Sequence, residues 1–259
     1  MIRHAKIPFS AAICVGTIAI LVPAVGEASS GGGTVAPSGG ASPNPTSPQS
    51  GGSVSTQPGD VVVSASGAGI TIAARASALL RNGMRFSGTA PERDAGDVVE
   101  IERSGPRTGW AWEPTVQATV APDGSFDAVW QTNHIGRFSI RAVVVPAPGA
   151  AVSSSAGWPT MTVTVYRPSI ATLYGPGFWG RRTACGVRLR RSTIGLANRT
   201  LPCGTPVAVY YQGRTMVVPV IDRGPYAYGA DWDLTMATAR ALGLSTTATI
   251  GAVSLPRAS

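Results

Sequence analysis

From residue 61 onward the chain is cut into short runs of β-branched and aromatic residues by turn signals, and that spacing constrains the fold more than any other feature. Residues 61–63, 70–72, 84–86, 98–101, 116–120, 125–130, 138–145 and 161–165 are such runs. Arg81-Asn82-Gly83, Pro122-Asp123-Gly124 and the Pro/Gly-bearing segments 91–96 and 146–149 separate several of them. Short strands with such punctuation predict an antiparallel sandwich. Residues 123–130 and 136–143 alternate apolar with polar, so one face is buried and the other wet. The expectation for residues 60–167 is an immunoglobulin-like β-sandwich. Trp110, Trp112, Trp130 and Trp158 read as its large core residues, and His134 as a solvated turn residue.

The segment before this body predicts where the protein works. Arg3, His4 and Lys6 precede an apolar stretch, residues 7–25, and Gly26-Glu27-Ala28 offers a cleavage site. That layout predicts a secretory signal peptide over residues 1–28, with no stable membrane anchor after cleavage. Residues 29–59 are dominated by Gly, Ser, Pro and Thr and carry no charge. Such a segment cannot bury apolar surface and is expected to be a disordered linker. Cleavage would remove Cys14 and leave Cys185 and Cys203, an even pair that in an exported chain reads as a disulfide.

Charge separates the two halves of what remains. Residues 60–166 hold eight Arg against nine Asp and Glu, whereas residues 169–259 hold ten Arg against three Asp. The basic C-terminal part seeks a polyanion, and outside the membrane the polyanion at hand is the cell wall. No interleaving of aromatic and basic residues of the nucleic-acid kind is present, so nucleic acid is not expected as a partner.

The C-terminal part, residues 168–259, reads as a small closed barrel. Strands are expected at 170–174, 207–211, 214–221 and 246–253, with a hairpin turn at Gln212-Gly213. Thr235 is placed to N-cap a helix over residues 236–242, with Gly243 ending it. The third of those strands runs Val217-Val218-Pro219-Val220-Ile221 into Asp222-Arg223-Gly224-Pro225-Tyr226. A carboxylate at the end of a core strand costs several kcal/mol unless paired, so Asp222 is either a hydrogen-bond hub or a working acid.

At these residues the chain resembles the rare lipoprotein A (RlpA)-like family. The resemblance rests on Leu173-Tyr174-Gly175-Pro176-Gly177, on Arg182-Thr183-Ala184 with Gly186, and on Arg199-Thr200-Leu201-Pro202 with Gly204-Thr205. Asp222-Arg223-Gly224-Pro225-Tyr226 and Asp233-Leu234-Thr235 complete it. It implies a six-stranded double-psi β-barrel with one short helix, and peptidoglycan as substrate. It also implies non-hydrolytic cleavage between N-acetylmuramic acid and N-acetylglucosamine, leaving 1,6-anhydro ends. Asp222 matches the family's catalytic acid and base, and Asp233 the Asp of its Asp-Leu-Ser/Thr motif. Two positions depart from the pattern: Val187 stands where active members carry Glu, and Asn198 where they carry His.

The resulting expectation is an exported, all-β cell-wall protein without cofactor or metal. Asp222 and Asn198 would act in catalysis, and Tyr174, Trp179, Arg182, Arg199, Arg223, Tyr226 and Asp233 would hold substrate. Two alternatives stay open: an expansin-like protein that binds wall without cutting it, and a secreted structural module with a protein partner.

Overall fold

The computed structural model describes residues 54–55, 61–145, 157–226 and 229–256. The expected signal peptide and all of the expected linker except residues 54–55 lie outside the described residues. In chain order the first strands are β1 (Val54–Ser55), β2 (Val62–Gly67), β3 (Ile70–Arg75), β4 (Ser77–Leu79), β5 (Gly83–Thr89) and β6 (Val98–Ser104). β7 (Glu113–Thr119), β8 (Ser125–Gln131), β9 (Gly136–Val145) and β10 (Thr160–Tyr174) follow. The remainder comprises β11 (Leu196–Ala197), β12 (Pro206–Tyr211), β13 (Arg214–Asp222), β14 (Trp232–Thr235), helix α1 (Met236–Leu242) and β15 (Ala248–Ser254).

Period-2 patterning builds the first body. β2, β3, β5 and β8 form one antiparallel sheet, and β7, β6, β9, β10 and β4 lie side by side in a second. Alternate residues point inward, so Ile70, Ile72, Phe86, Val99, Ile101, Phe138, Ile140 and Val163 share one buried cluster. Trp130 joins that core, edge-on to Phe138, with the buried Arg103 guanidinium over both rings. Trp158 packs against the same cluster, and Trp112 lies under Arg141. Trp110 departs from its expected core role and is 67% exposed. His134 keeps a partly exposed turn position, its Nδ1 2.8 Å from Arg103 Nη1 and 2.8 Å from Asn133 Oδ1. A buried guanidinium requires polar partners, and this turn supplies them.

The two runs expected at 161–165 and 170–174 are one strand, β10. Its first part pairs with β9, residues 167–171 pair with β15, and residues 171–174 pair in parallel with β14. A strand can change neighbours without ending, and Arg167-Pro168 marks that change. Two bodies therefore share one continuous backbone across residue 167.

The second body is a closed six-stranded barrel. Its ring runs β10, β15, β12, β13, β11, β14 and back to β10, with β11–β13 and β10–β14 parallel and the other contacts antiparallel. Leu196, Val207, Val209, Val218, Val220 and Leu234 fill it, and Ala239 and Leu242 of α1 pack into the same core. Helix α1 starts where Thr235 Oγ1 accepts the Thr238 N–H, and it ends at Gly243, φ 78°. The β12–β13 hairpin turns at Gln212 and Gly213, both at positive φ.

At the seam, the rings of Tyr166 and Tyr210 stack at 5.5 Å. Gly251 lets β15 approach them closely, since a Cβ there would lie 2.7 Å from the Tyr166 Cβ. Gly251→Ala is therefore expected to lower unfolding free energy by about 1–3 kcal/mol in urea titration. An unchanged midpoint would show that the seam yields freely.

Candidate active site

Strand parity brings Asp222 to the barrel mouth. Met216, Val218 and Val220 point into the barrel core, and Asp222 continues the same face one step beyond it, half-buried. Its Oδ1 accepts the Ala184 N–H at 2.9 Å and the Arg223 N–H at 2.8 Å. Ala184 is held by its neighbour: Cys185 bonds to Cys203, Cα to Cα 5.7 Å, and the Cys185 N–H donates to the Ile221 carbonyl. The disulfide thus pins the loop that supplies a donor to Asp222.

A second carboxyl lies one strand further on. Ala197 of β11 is the register partner of both Asp222 on β13 and Asp233 on β14. Two strand spacings put those backbones roughly 10 Å apart. Asp233 is half-buried and its Oδ1 accepts from Thr172 Oγ1 at 2.9 Å. Burial pushes its carboxyl above the usual range, the Thr172 bond opposes this, and the charge of Asp222 adds to the rise. Tyr174 completes the group. Its hydroxyl is buried without a hydrogen-bond partner among the described residues, and burial, then Asp222 and Asp233, push the phenol up. It stays protonated, a donor facing an acidic neighbourhood.

Asp222 and Tyr174 open onto a groove of about 420 Å³ lined also by Phe178, Arg181, Arg182, Thr183, Leu189, Arg223 and Tyr226, whereas Asp233 is not in its lining. Of the expected residues, Asp222, Tyr174, Arg182, Arg223 and Tyr226 meet there. Arg223 also turns its guanidinium toward the Asn198 and Asp222 carbonyls and the Cys203 sulfur. Trp179 instead covers Gly175, where a Cβ would lie 2.4 Å from its ring. Phe178, half-exposed and edge-on to Tyr174 at 6.5 Å, takes the groove position. Adjacent aromatics after a Gly-Pro-Gly turn do not announce which of them faces out.

Arg199 and Asn198 are engaged elsewhere. Arg199 Nη1 donates to the Pro225 and Ala230 carbonyls, tying the loop after Asp222 to the start of β14. Asn198 Oδ1 accepts from the Thr200 and Leu201 N–H groups, and its Nδ2 donates to the Asp231 carbonyl at 3.4 Å. Its backbone N–H, not its amide, reaches Asp222, at the carbonyl. The sequence leaves Phe178 open beside Trp179 as a stacking residue; Thr172, Arg181, Thr183 and Leu189 were not anticipated, since Thr172 meets Asp233 by strand pairing and the other three lie on the loop between β10 and β11. Among the described residues no three His, Cys, Asp or Glu side chains converge as metal ligands. A larger cleft, about 680 Å³, lies at the seam between the bodies, but no carboxylate lines it. Of these two hollows, the smaller groove is the one lined by a carboxylate.

The raised Asp233 has a measurable consequence. The native state binds that proton more tightly than the unfolded chain, so the contribution of this group to stability is full below about pH 4 and is lost as pH rises through the raised native value. Asp233→Asn keeps an acceptor for Thr172 and cannot ionise. It is expected to melt higher than the parent at pH 7, with the gap closing toward about pH 3–4. Parallel melting curves across that range would argue against the rise.

Residues 169–255 match the family model described as "Lytic transglycolase". A probable endolytic peptidoglycan transglycosylase RlpA of Synechocystis sp. is 45% identical over 85 residues, covering 32% of this chain and 26% of that protein. The probable RlpA of Aquifex aeolicus is 42% identical over 81 residues, 30% of this chain and 36% of the relative. The RlpA of Pasteurella multocida is 38% identical over 80 residues, 30% of this chain and 27% of the relative. The chain therefore spans about a quarter to a third of the length of these curated relatives. Over residues 169–255 the barrel closed by β10 to β15, with Asp222 at its mouth, matches that family model and is similar to the RlpA relatives.

Proposed function

We propose that this protein acts outside the membrane as a peptidoglycan lytic transglycosylase. Asp222 carries the reading: it sits at the groove with one oxygen fixed by two backbone N–H groups. In its protonated form its other oxygen gives a proton to the glycosidic oxygen of the departing N-acetylglucosamine. The resulting carboxylate takes the proton of the muramoyl 6-hydroxyl as that oxygen bonds to C1, closing the 1,6-anhydro ring. One carboxyl serves both steps and returns to its starting form without water. Asp233 stands behind the groove with its carboxyl pushed up by burial, and the Tyr174 ring lines the groove beside Asp222. Arg182 and Tyr226 flank the strand.

The rest of the chain fits an exported wall protein. Residues 1–28 act as signal peptide and 29–59 as linker, and the two-sheet body at 60–167 is an immunoglobulin-like spacer ahead of the barrel at 168–259. Among the described residues no helix is long and apolar enough to cross a membrane.

One observation favours an expansin-like, non-cleaving protein: Val187 and Asn198 replace a Glu and a His, and the Asn198 amide is engaged away from the Asp222 carboxyl. Mass analysis of purified peptidoglycan after incubation separates the readings. Anhydro-muropeptides are the expected product; their absence with binding retained would leave the non-cleaving role.

A further inference from the structure

The seam cleft, about 680 Å³, is not used by the catalytic reading. Its walls include Arg107, Trp110, Ile135 and Arg137 from the two-sheet body, and Val253 and Leu255 from the barrel side. A second hollow, about 400 Å³, shares Ile135 and Val253 with it and continues past Arg167 to Thr200. Together they form a trough along the join of the two bodies.

Trp110 is poorly explained by packing. Its side chain is largely exposed, and its backbone sits at φ 68°, a strained region for a bulky residue. Two bonds hold it there: its N–H donates to the Gly105 carbonyl at 3.0 Å, and the buried Ser104 hydroxyl donates to its carbonyl at 2.9 Å. An indole fixed and exposed at the rim of a cleft presents a flat apolar face, the surface a pyranose ring stacks on. In the same hollow Arg107 and Arg137 are exposed and make no ion pair or side-chain hydrogen bond among the described residues, while the second hollow holds Arg167 together with Asp231. No Asp or Glu lines the larger hollow, so its positive charge awaits an anion.

We propose that this trough is a second glycan-binding site, distinct from the Asp222 groove. One pyranose of a peptidoglycan strand stacks on Trp110, and a stem-peptide carboxylate meets Arg107 and Arg137. Peptidoglycan is chosen as occupant on the reading above, and the combination of ring face and cations fits a sugar that carries carboxylates. The site holds a strand without acting on it.

The test uses the exported chain in its Asp222→Asn form, so that ligand is not consumed. Probes are soluble uncross-linked glycan strands bearing tetrapeptides, and chitotetraose as an uncharged control. Trp110→Gly is expected to weaken binding of both probes about tenfold, while the variant melts no lower than its parent because strain is relieved. Arg107→Gln with Arg137→Gln is expected to weaken only the peptide-bearing strand, about fivefold, and to flatten its salt dependence. Parent-like affinity in both variants would overturn the second site and leave the function standing. A parent that binds neither probe would overturn the function and this site together.

Discussion

Asp222→Asn is expected to lower the yield of 1,6-anhydro-muropeptides by about 10²–10⁴-fold while leaving the fold and wall binding in place. Asn keeps an oxygen for the Ala184 and Arg223 N–H groups, so the local hydrogen bonds survive and only the proton carrier is lost. The effect divides from that of Asp233→Asn. A residue that moderates charge at the site is expected to shift the pH profile of cleavage, whereas loss of the acid and base flattens the rate at every pH. Full anhydro product from Asp222→Asn would remove Asp222 from the chemistry and move attention to Asp233.

The second large effect concerns the Cys185–Cys203 bond. Its ends are 18 residues apart in sequence, and releasing a loop of that size is expected to cost about 3 kcal/mol of stability. Urea unfolding of the Cys185→Ala, Cys203→Ala protein against its parent measures that loss. A second consequence is local. Ala184, next to Cys185, supplies one of the two N–H groups on Asp222, so a released loop misplaces a donor at the reacting carboxyl. Cleavage is expected to fall even at temperatures where the reduced protein remains folded. If stability falls and cleavage does not, the bond serves the fold alone.

Wall binding and cleavage need not depend on the same residues. The Asp222 groove sets one carboxyl among arginines and tyrosines, whereas the seam cleft has arginines and an exposed indole and no carboxylate in its lining. A protein so arranged can grip one stretch of strand while working on another.

Local signals were sufficient for much of this. Alternation, turn residues and the Thr235 and Gly243 caps foretold most strands and the helix, because period-2 burial and capping act over a few residues. Asp222 at the end of an apolar strand was legible for the same reason: an unpaired carboxylate in that setting demands an explanation. Tertiary structure decided the rest. Strand β10 ran through Pro168 because its pairing partners, more than 70 residues later in sequence, accept it on the far side. Phe178 rather than Trp179 faces the groove because Gly175 gives the indole a place to pack. Asn198 and Arg199 hold loops because their partners, Asp231, Pro225 and Ala230, arrive by barrel closure. Sequence alone indicated most of the strands, though not short ones such as β4, β11 and β14, and which carboxylate would stand at a strand end, since those depend on nearest neighbours. Which side chains converge around that carboxylate was decided by contacts between residues far apart in the chain, whose register no local pattern encodes.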